Sequence, residues 1–489
     1  MSKLGKILKN YKNIPIPARA SFWFLICGIL QNGLSIITLP IFTRLLTTEQ
    51  YGLSSTYFAW NDLIVVVCTL RLSYGVFDKG MIKYEDKRDE FESSLLGLTT
   101  TISTGMLVLF LLFHKTVEQL LGMSFVLCLS LFICQIFAPA LLFWTARNKY
   151  EYKYKSFTLV TLLSAVVCTF ANLLAVLLIN YDSGVIKIIS YQIIWSSVYI
   201  YFYIYIFRKG KTFYRKDIWK YALQFNLPLI PYFLSTLVLD KADRMMIGRI
   251  CGNSYVALYS VSYNLGRLMV LMTSAIDATI TPWLYSKLKN KEFESTKKIL
   301  SLIMLLFIVL ATAFMLFAPE LIYLLASPEY KAAVYVIPPV VASYFFVMLY
   351  MLISKIEFYY EKTKIVAITT VCAAVLDIVL NYIFIPKYGY IAAGYTTLVS
   401  YIFMAVGHCI VARKIAKKNG ICEKLYPWKV FFVLSCIVLL ITIMINTIYA
   451  NTIFRFSLLI IILILCLVMR KKIFGIFTCF KIARGSSDE

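Results

Sequence analysis

Four charged residues, Asp240, Lys241, Asp243 and Arg244, fall within five positions of a stretch otherwise rich in leucine, isoleucine and methionine. A charge placed in an apolar run of membrane-spanning length costs about 2.5 to 3.5 kcal/mol on insertion scales, so such residues line watery cavities or pair with one another. Spacings of three and four put Asp240, Asp243 and Arg244 on one helical face, where local ion pairing is the alternative to a cavity-facing role. An arginine in a cavity grips a phosphate in two places with its planar fork and stays protonated when poorly hydrated. Lys241 adds a second positive charge. Arg267 lies near the middle of the next apolar run, too deep to extend easily into a headgroup layer, whereas Arg19 and Arg71 sit close enough to the ends of theirs to snorkel. Asp62 and Arg71 are nine positions apart, which on a straight helix sets them on opposite faces. The chemistry these residues suit is holding an anion away from bulk water.

The carboxylates Asp62, Asp240, Asp243 and Asp377 also lie within apolar runs. They suit uptake of a proton or a sodium ion for coupling, or charge compensation for neighbouring arginines, and the sequence leaves both open. No phosphate-binding G-x-x-x-x-G-K-[ST] and no H-E-x-x-H occurs, and His114 and His408, the only histidines, are far apart. No catalytic residue, metal or cofactor is therefore expected, and the protein should not be an enzyme. Energy for any transport should come from an H+ or Na+ gradient, the membrane potential or the substrate's own gradient. The twelve cysteines, among them Cys27, Cys68, Cys128, Cys168, Cys372 and Cys466, lack metal-ligand spacing and read as small buried hydrophobes.

The elements that must position these groups follow from composition. Of 489 residues, 60% are hydrophobic and 15% charged, against about 25% charged in a soluble domain. The apolar residues form runs of about 20, the length that crosses a hydrocarbon core. Fourteen such spans are predicted, near 18–41, 53–76, 93–113, 123–144, 156–180, 185–207, 221–248, 254–277, 297–318, 332–352, 364–385, 390–412, 428–449 and 455–470. The segments between them are too short for a soluble nucleotide-binding or catalytic domain. The net charge of +24 is scattered through short loops, which argues against nucleic acid and for orientation signals. With the N-terminus inside, the outer loops hold only Arg44, Lys115, Arg249, Lys331, Lys387 and Arg455 among 49 basic residues, so both termini are expected in the cytoplasm. Lys3, Lys6, Lys9 and Lys12 precede no short apolar core with a cleavage site, so no removable signal peptide is expected.

A weak internal repeat pairs Arg44 with Arg249, Leu53 with Leu258, Ser55 with Ser260, Gly184 with Gly389 and Asn172 with Asn381. Spans 1 to 6 then correspond to spans 7 to 12 in one orientation, as in transporters built from parallel repeats. The predicted fold is an all-α integral membrane protein with two six-helix lobes, residues 1–210 and 211–418, and two additional helices in 419–489. Such a design is expected to place a cavity between two bundles. Pro228, Pro231, Pro338 and Pro339 interrupt helical runs and permit bends.

The stretch Leu39 to Leu53, LPIFTRLLTTEQYGL, resembles the outer end of the first span in polysaccharide and O-antigen flippases. These form the Wzx-type branch of the multidrug, oligosaccharidyl-lipid and polysaccharide exporter superfamily. Phe225 to Gly252 (FNLPLIPYFLSTLVLDKADRMMIGRICG), Val256 to Leu268 (VALYSVSYNLGRL), Pro319 to Tyr330 (PELIYLLASPEY) and Ile385 to Thr397 (IPKYGYIAAGYTT) follow in the same order. Within the second, Asp243, Arg244 and Gly248 match the family's recurring pattern, and Lys241 is a departure that hints at an anionic glycan. The resemblance implies transfer of an undecaprenyl-diphosphate-linked oligosaccharide repeat unit from the inner to the outer leaflet of the bacterial cytoplasmic membrane by alternating access, for surface polysaccharide such as O-antigen or capsule. It implies substrate binding through Arg71, Arg244 and Arg267, with Arg19 and Lys241 as further candidates. The implied partners are the polyprenyl-diphosphate-linked glycan, membrane lipids, and the polysaccharide polymerase and chain-length machinery. The alternatives are a multidrug or cation exporter of the same superfamily and a membrane glycan polymerase or glycosyltransferase. The longest outer segment, about 318–331, offers such an enzyme only Glu320 and Glu329.

Overall fold

The computed structural model describes residues 15–421 and 425–468; the basic residues of the first twelve positions lie outside them. Fourteen long helical segments follow one another: α1 (Ile16–Leu45), α2 (Thr48–Thr69), α3 (Glu85–Leu112), α4 (Phe125–Tyr150), α5 (Tyr154–Leu178), α6 (Ser183–Gly210), α7 (Lys216–Ile250), α8 (Asn253–Asn290), α9 (Thr296–Leu316), α10 (Pro328–Tyr359), α11 (Lys364–Tyr388), α12 (Tyr390–Lys418), α13 (Trp428–Ile448) and α14 (Thr452–Val468). Twelve of these, all but α2 and α14, are long and apolar enough to cross a membrane. Large apolar side chains such as Leu178, Phe432 and Ile453 are exposed, as expected where the surrounding solvent is lipid. The chain is a multi-pass membrane protein. Cys27, Cys68, Cys128 and Cys168 are buried, but Cys372 is exposed; the Cys466 side chain lies outside the described residues.

Contacts divide the chain into two units, 1–237 and 238–489. In the first, Thr47 caps α2 through a capping box with Gln50, and the Gln50 amide donates to Asp182 at the start of α6 at 3.1 Å. A Cβ on Gly184 would stand 2.8 Å from that of Gln50, so a glycine there lets the α6 start meet α2. The residues paired in the repeat take equivalent places. Arg44 and Arg249 end α1 and α7, while Asn172 ties α5 to the Lys187 carbonyl and the Ser190 hydroxyl on α6.

One end of the first unit is held by charge. Arg147 of α4 donates to Asp89 and Glu92 of α3 at 2.5 and 2.6 Å and to Glu151 at 2.9 Å, and Glu92 is buried. Removing one partner from a buried pair strands the other charge, at about 3 to 5 kcal/mol. Arg147→Ala is therefore expected to lower the thermal unfolding temperature of the purified protein. Unchanged melting would mean that water reaches Glu92.

Pro228 interrupts its helix as expected, whereas Pro338 and Pro339 do not. Pro228 sits in a 3-10 turn, Leu227–Leu229, inside α7. Pro338 and Pro339 do not interrupt α10; they occupy the first positions of its α-helical part, after a 3-10 stretch Pro328–Val336. The missing N–H groups of proline are tolerated at a helix start, where no intrahelical acceptor exists for them.

Candidate functional site

The functional groups of the second unit gather on α7 and the helices that pack beside it. Asp240 and Arg244 are one turn apart and both meet α8, where Tyr259, Ser260 and Tyr263 recur at helical spacing. The Tyr263 hydroxyl donates to Asp240 at 2.8 Å, and the Arg244 guanidinium lies over the Tyr263 ring at 4.6 Å. Arg244 also donates to the Ser260 hydroxyl at 3.2 Å and to the carbonyl oxygen of Asp240 at 3.0 Å. The Lys241 ammonium is 3.4 Å from the Asp240 carboxylate, which stands in the joint field of Lys241, Arg267 and Arg244. The Asp240 carboxylate thus stands among three cations, and Asp243 feels Arg244 as well.

Arg267 reaches this group because α8 bends at it. The α-helix Asn253–Gly266 ends there and a second begins at Met269. Gly266 sits against α10, where a Cβ would come within 2.6 Å of the Val340 side chain. That close approach brings Arg267 beside Tyr344 of α10, which feels its charge.

Asp243 turns away from Arg244 toward α11 and α12. It is 1% exposed and accepts hydrogen bonds from the Tyr259 hydroxyl, from the Asn381 amide at 2.6 Å and from the Thr397 hydroxyl at 2.8 Å. The same Asn381 nitrogen reaches Asp377 at 3.2 Å, and Asp377 accepts from Ser400 at 3.1 Å. Thr396 closes the cluster by donating to the side-chain amide oxygen of Asn381 at 2.5 Å. Two carboxylates, one amide and four hydroxyls therefore share a buried polar volume.

The other sequence candidates belong to the first unit and to separate elements. Arg19 is half-buried in the first turn of α1, and Asp62 is half-buried on α2. Arg71 does not lie within a membrane helix as the spacing argument assumes. Leu70 ends α2 in the left-handed region, Arg71 itself has φ +50°, and its guanidinium rests 5.9 Å from the centre of the Phe233 ring. The turn is anchored by the Asn226 amide, which donates to the Leu70 carbonyl at 2.7 Å. The opposite-face relation of Asp62 and Arg71 fails because the helix stops between them. Tyr259, Tyr263, Asn381, Thr396, Thr397 and Ser400 were not among the sequence candidates. The signal for them was the run of hydroxyls at 396, 397 and 400 and the spacing of four between Asp377 and Asn381.

Fourteen long helices among the described residues, twelve of them apolar enough to cross a membrane, with buried charges on α7 and α11, define a polytopic membrane protein. The sequence profile described as polysaccharide biosynthesis protein matches residues 18–288, more than half of the chain, and this chain belongs to that family. A second profile, MatE, matches residues 228–383. The protein is 21% identical over 370 residues to "Lsg locus putative protein 1" of Haemophilus influenzae, covering 72% of this chain and 87% of that one. Its fold resembles that of the lipid II flippase MurJ in an inward closed conformation, at TM-score 0.64 and 17% identity, over 92% of this chain and 99% of the other. It also resembles an inward-facing multidrug resistance MATE family transporter of the MOP superfamily, at TM-score 0.57 and 15% identity, over 80% and 96% of the two chains. The fold is that of the MOP-superfamily transporters.

Proposed function

We propose that this protein is a flippase that moves an undecaprenyl-diphosphate-linked oligosaccharide from the inner to the outer leaflet of the bacterial cytoplasmic membrane, by alternating access, for surface polysaccharide synthesis. The observation that carries the reading is the convergence of Lys241, Arg244 and Arg267 on the single carboxylate of Asp240. A diphosphate cannot cross hydrocarbon unaided, because its charges would be unpaired there. A basic patch inside a membrane unit supplies the missing partners, and the polyprenyl tail can stay in lipid. The family match supports a role in polysaccharide assembly.

The cluster of Asp243, Asp377, Asn381, Thr396, Thr397 and Ser400 suits the coupling step. Two buried carboxylates bridged by one amide nitrogen and ringed by hydroxyls suit a shared proton or a small hard cation. A cation exporter of the same fold is the second reading, favoured by the MatE match. Proteoliposomes carrying a fluorescent polyprenyl-diphosphate oligosaccharide decide between them. The expected result is loss of label accessibility from the face where it is loaded, in step with the imposed gradient, with no uptake of cationic dye. Dye transport without lipid translocation would overturn the flippase reading.

A further inference from the structure

A second basic site lies in the same unit, away from α7. At the ends of α9, α12 and α13 a recess of about 930 Å³ is lined by Lys297, Lys298, Arg413, Lys414, Lys417 and Lys429, with Tyr426, Pro427 and Trp428 as its apolar wall. No carboxylate lines it among the described residues; Glu294 belongs to the neighbouring recess beyond Lys297.

The placement of three of these cations runs against helix electrostatics. Lys297 and Lys298 occupy the first turn of α9 and Lys429 that of α13, and neither first turn has an acidic residue. A helix N-terminus carries about half a positive charge and favours anions. Two such termini here meet three lysines, and the last turns of α12 bring the other three cations to the same recess. The Arg413 guanidinium is held over the Trp428 ring at 4.8 Å. Six cations with no carboxylate among the described lining residues suit an anionic ligand.

The walls say what carries the anion. From the recess, α12 continues as an exposed apolar stripe through Ile410, Val406 and Phe403, and α13 through Val430, Val433, Ile437 and Leu440. Both stripes follow helical spacing, so apolar surface fit for acyl chains begins where the cations end. We propose that this recess binds the phosphate headgroup of an anionic glycerophospholipid, with its acyl chains along α12 and α13. Basic pockets between membrane helices hold cardiolipin headgroups by the same chemistry, and six cations suit a headgroup with two separate phosphates.

The test titrates the purified full-length chain in detergent with cardiolipin, phosphatidylcholine, an undecaprenyl diphosphate and inorganic pyrophosphate, reading bound species by native mass spectrometry. Saturable binding of cardiolipin over phosphatidylcholine is expected. It should weaken roughly a hundredfold in the triple variant Lys297→Gln, Arg413→Gln, Lys429→Gln. The triple variant Lys87→Gln, Lys216→Gln, Lys220→Gln removes the same charge from exposed positions of the other unit and should leave binding as it was. Equal losses in both variants, or in neither, would overturn the site. So would tighter binding of undecaprenyl diphosphate or pyrophosphate than of cardiolipin at this recess.

Discussion

Arg244→Ala and Arg267→Ala are each expected to abolish surface glycan while the amount of protein in the membrane stays at the wild-type level. Arg244 is buried and holds Ser260, the Asp240 carbonyl and the Tyr263 face at once, so its fork is fixed before a phosphate arrives and little freedom is lost on binding. Truncating one side of a desolvated, hydrogen-bonded charge pair costs about 2 to 5 kcal/mol, roughly a thirtyfold to several-thousandfold loss of affinity. Arg244→Lys keeps the charge but not the bidentate geometry, and should recover only part of the loss. Arg267 is exposed, so its truncation opens no cavity and the variant should fold. Glycan output is read by surface staining and protein level by immunoblot of membranes. Normal glycan from both alanine variants would remove Arg244 and Arg267 from the transport route.

The second large effect concerns coupling. In Asp243→Asn, Asp377→Asn, both carboxylates become neutral amides of nearly the same shape, so the buried cluster keeps its volume while losing its reason to bind a proton or cation. Translocation in proteoliposomes should then no longer respond to an imposed H+ or Na+ gradient, while passive equilibration of the lipid continues. Asn381→Leu is the structural counterpart. It strips the amide that serves Asp243 and Asp377 together and leaves both with unmet acceptors, a loss of about 3 to 5 kcal/mol, visible as a lowered melting temperature. If the double variant keeps its full gradient response, the cluster serves only to pack α7 against α11 and α12.

Different features of this chain were legible to different degrees. Helix order could be read, and the number of spans approximately, because an apolar run of about 20 residues has one stable arrangement in lipid, with its backbone hydrogen bonds closed within the segment. The charges on α7 were equally visible, since each carries a large insertion cost. Less visible was the local stop after Thr69, which takes Arg71 out of α2: no glycine or proline marks it, and a left-handed Leu70 is a conformation that the side chain itself does not favour. Pro338 and Pro339 misled in the other direction, because a proline reads as a break whether it interrupts a helix or begins one.

By itself the sequence determined that this is a helical membrane protein with ionisable groups at membrane depth, since hydropathy and charge act through composition and spacing along one chain. Only the tertiary structure decided how those groups divide. Asp243 and Arg244 are neighbours in sequence, yet successive residues on a helix diverge by about 100°, so one turns to Asn381 and Thr397 and the other to Ser260 and Tyr263. The partners that give each its chemistry come from α8, α11 and α12, up to 154 residues away, and no spacing along α7 encodes which helices will stand beside it.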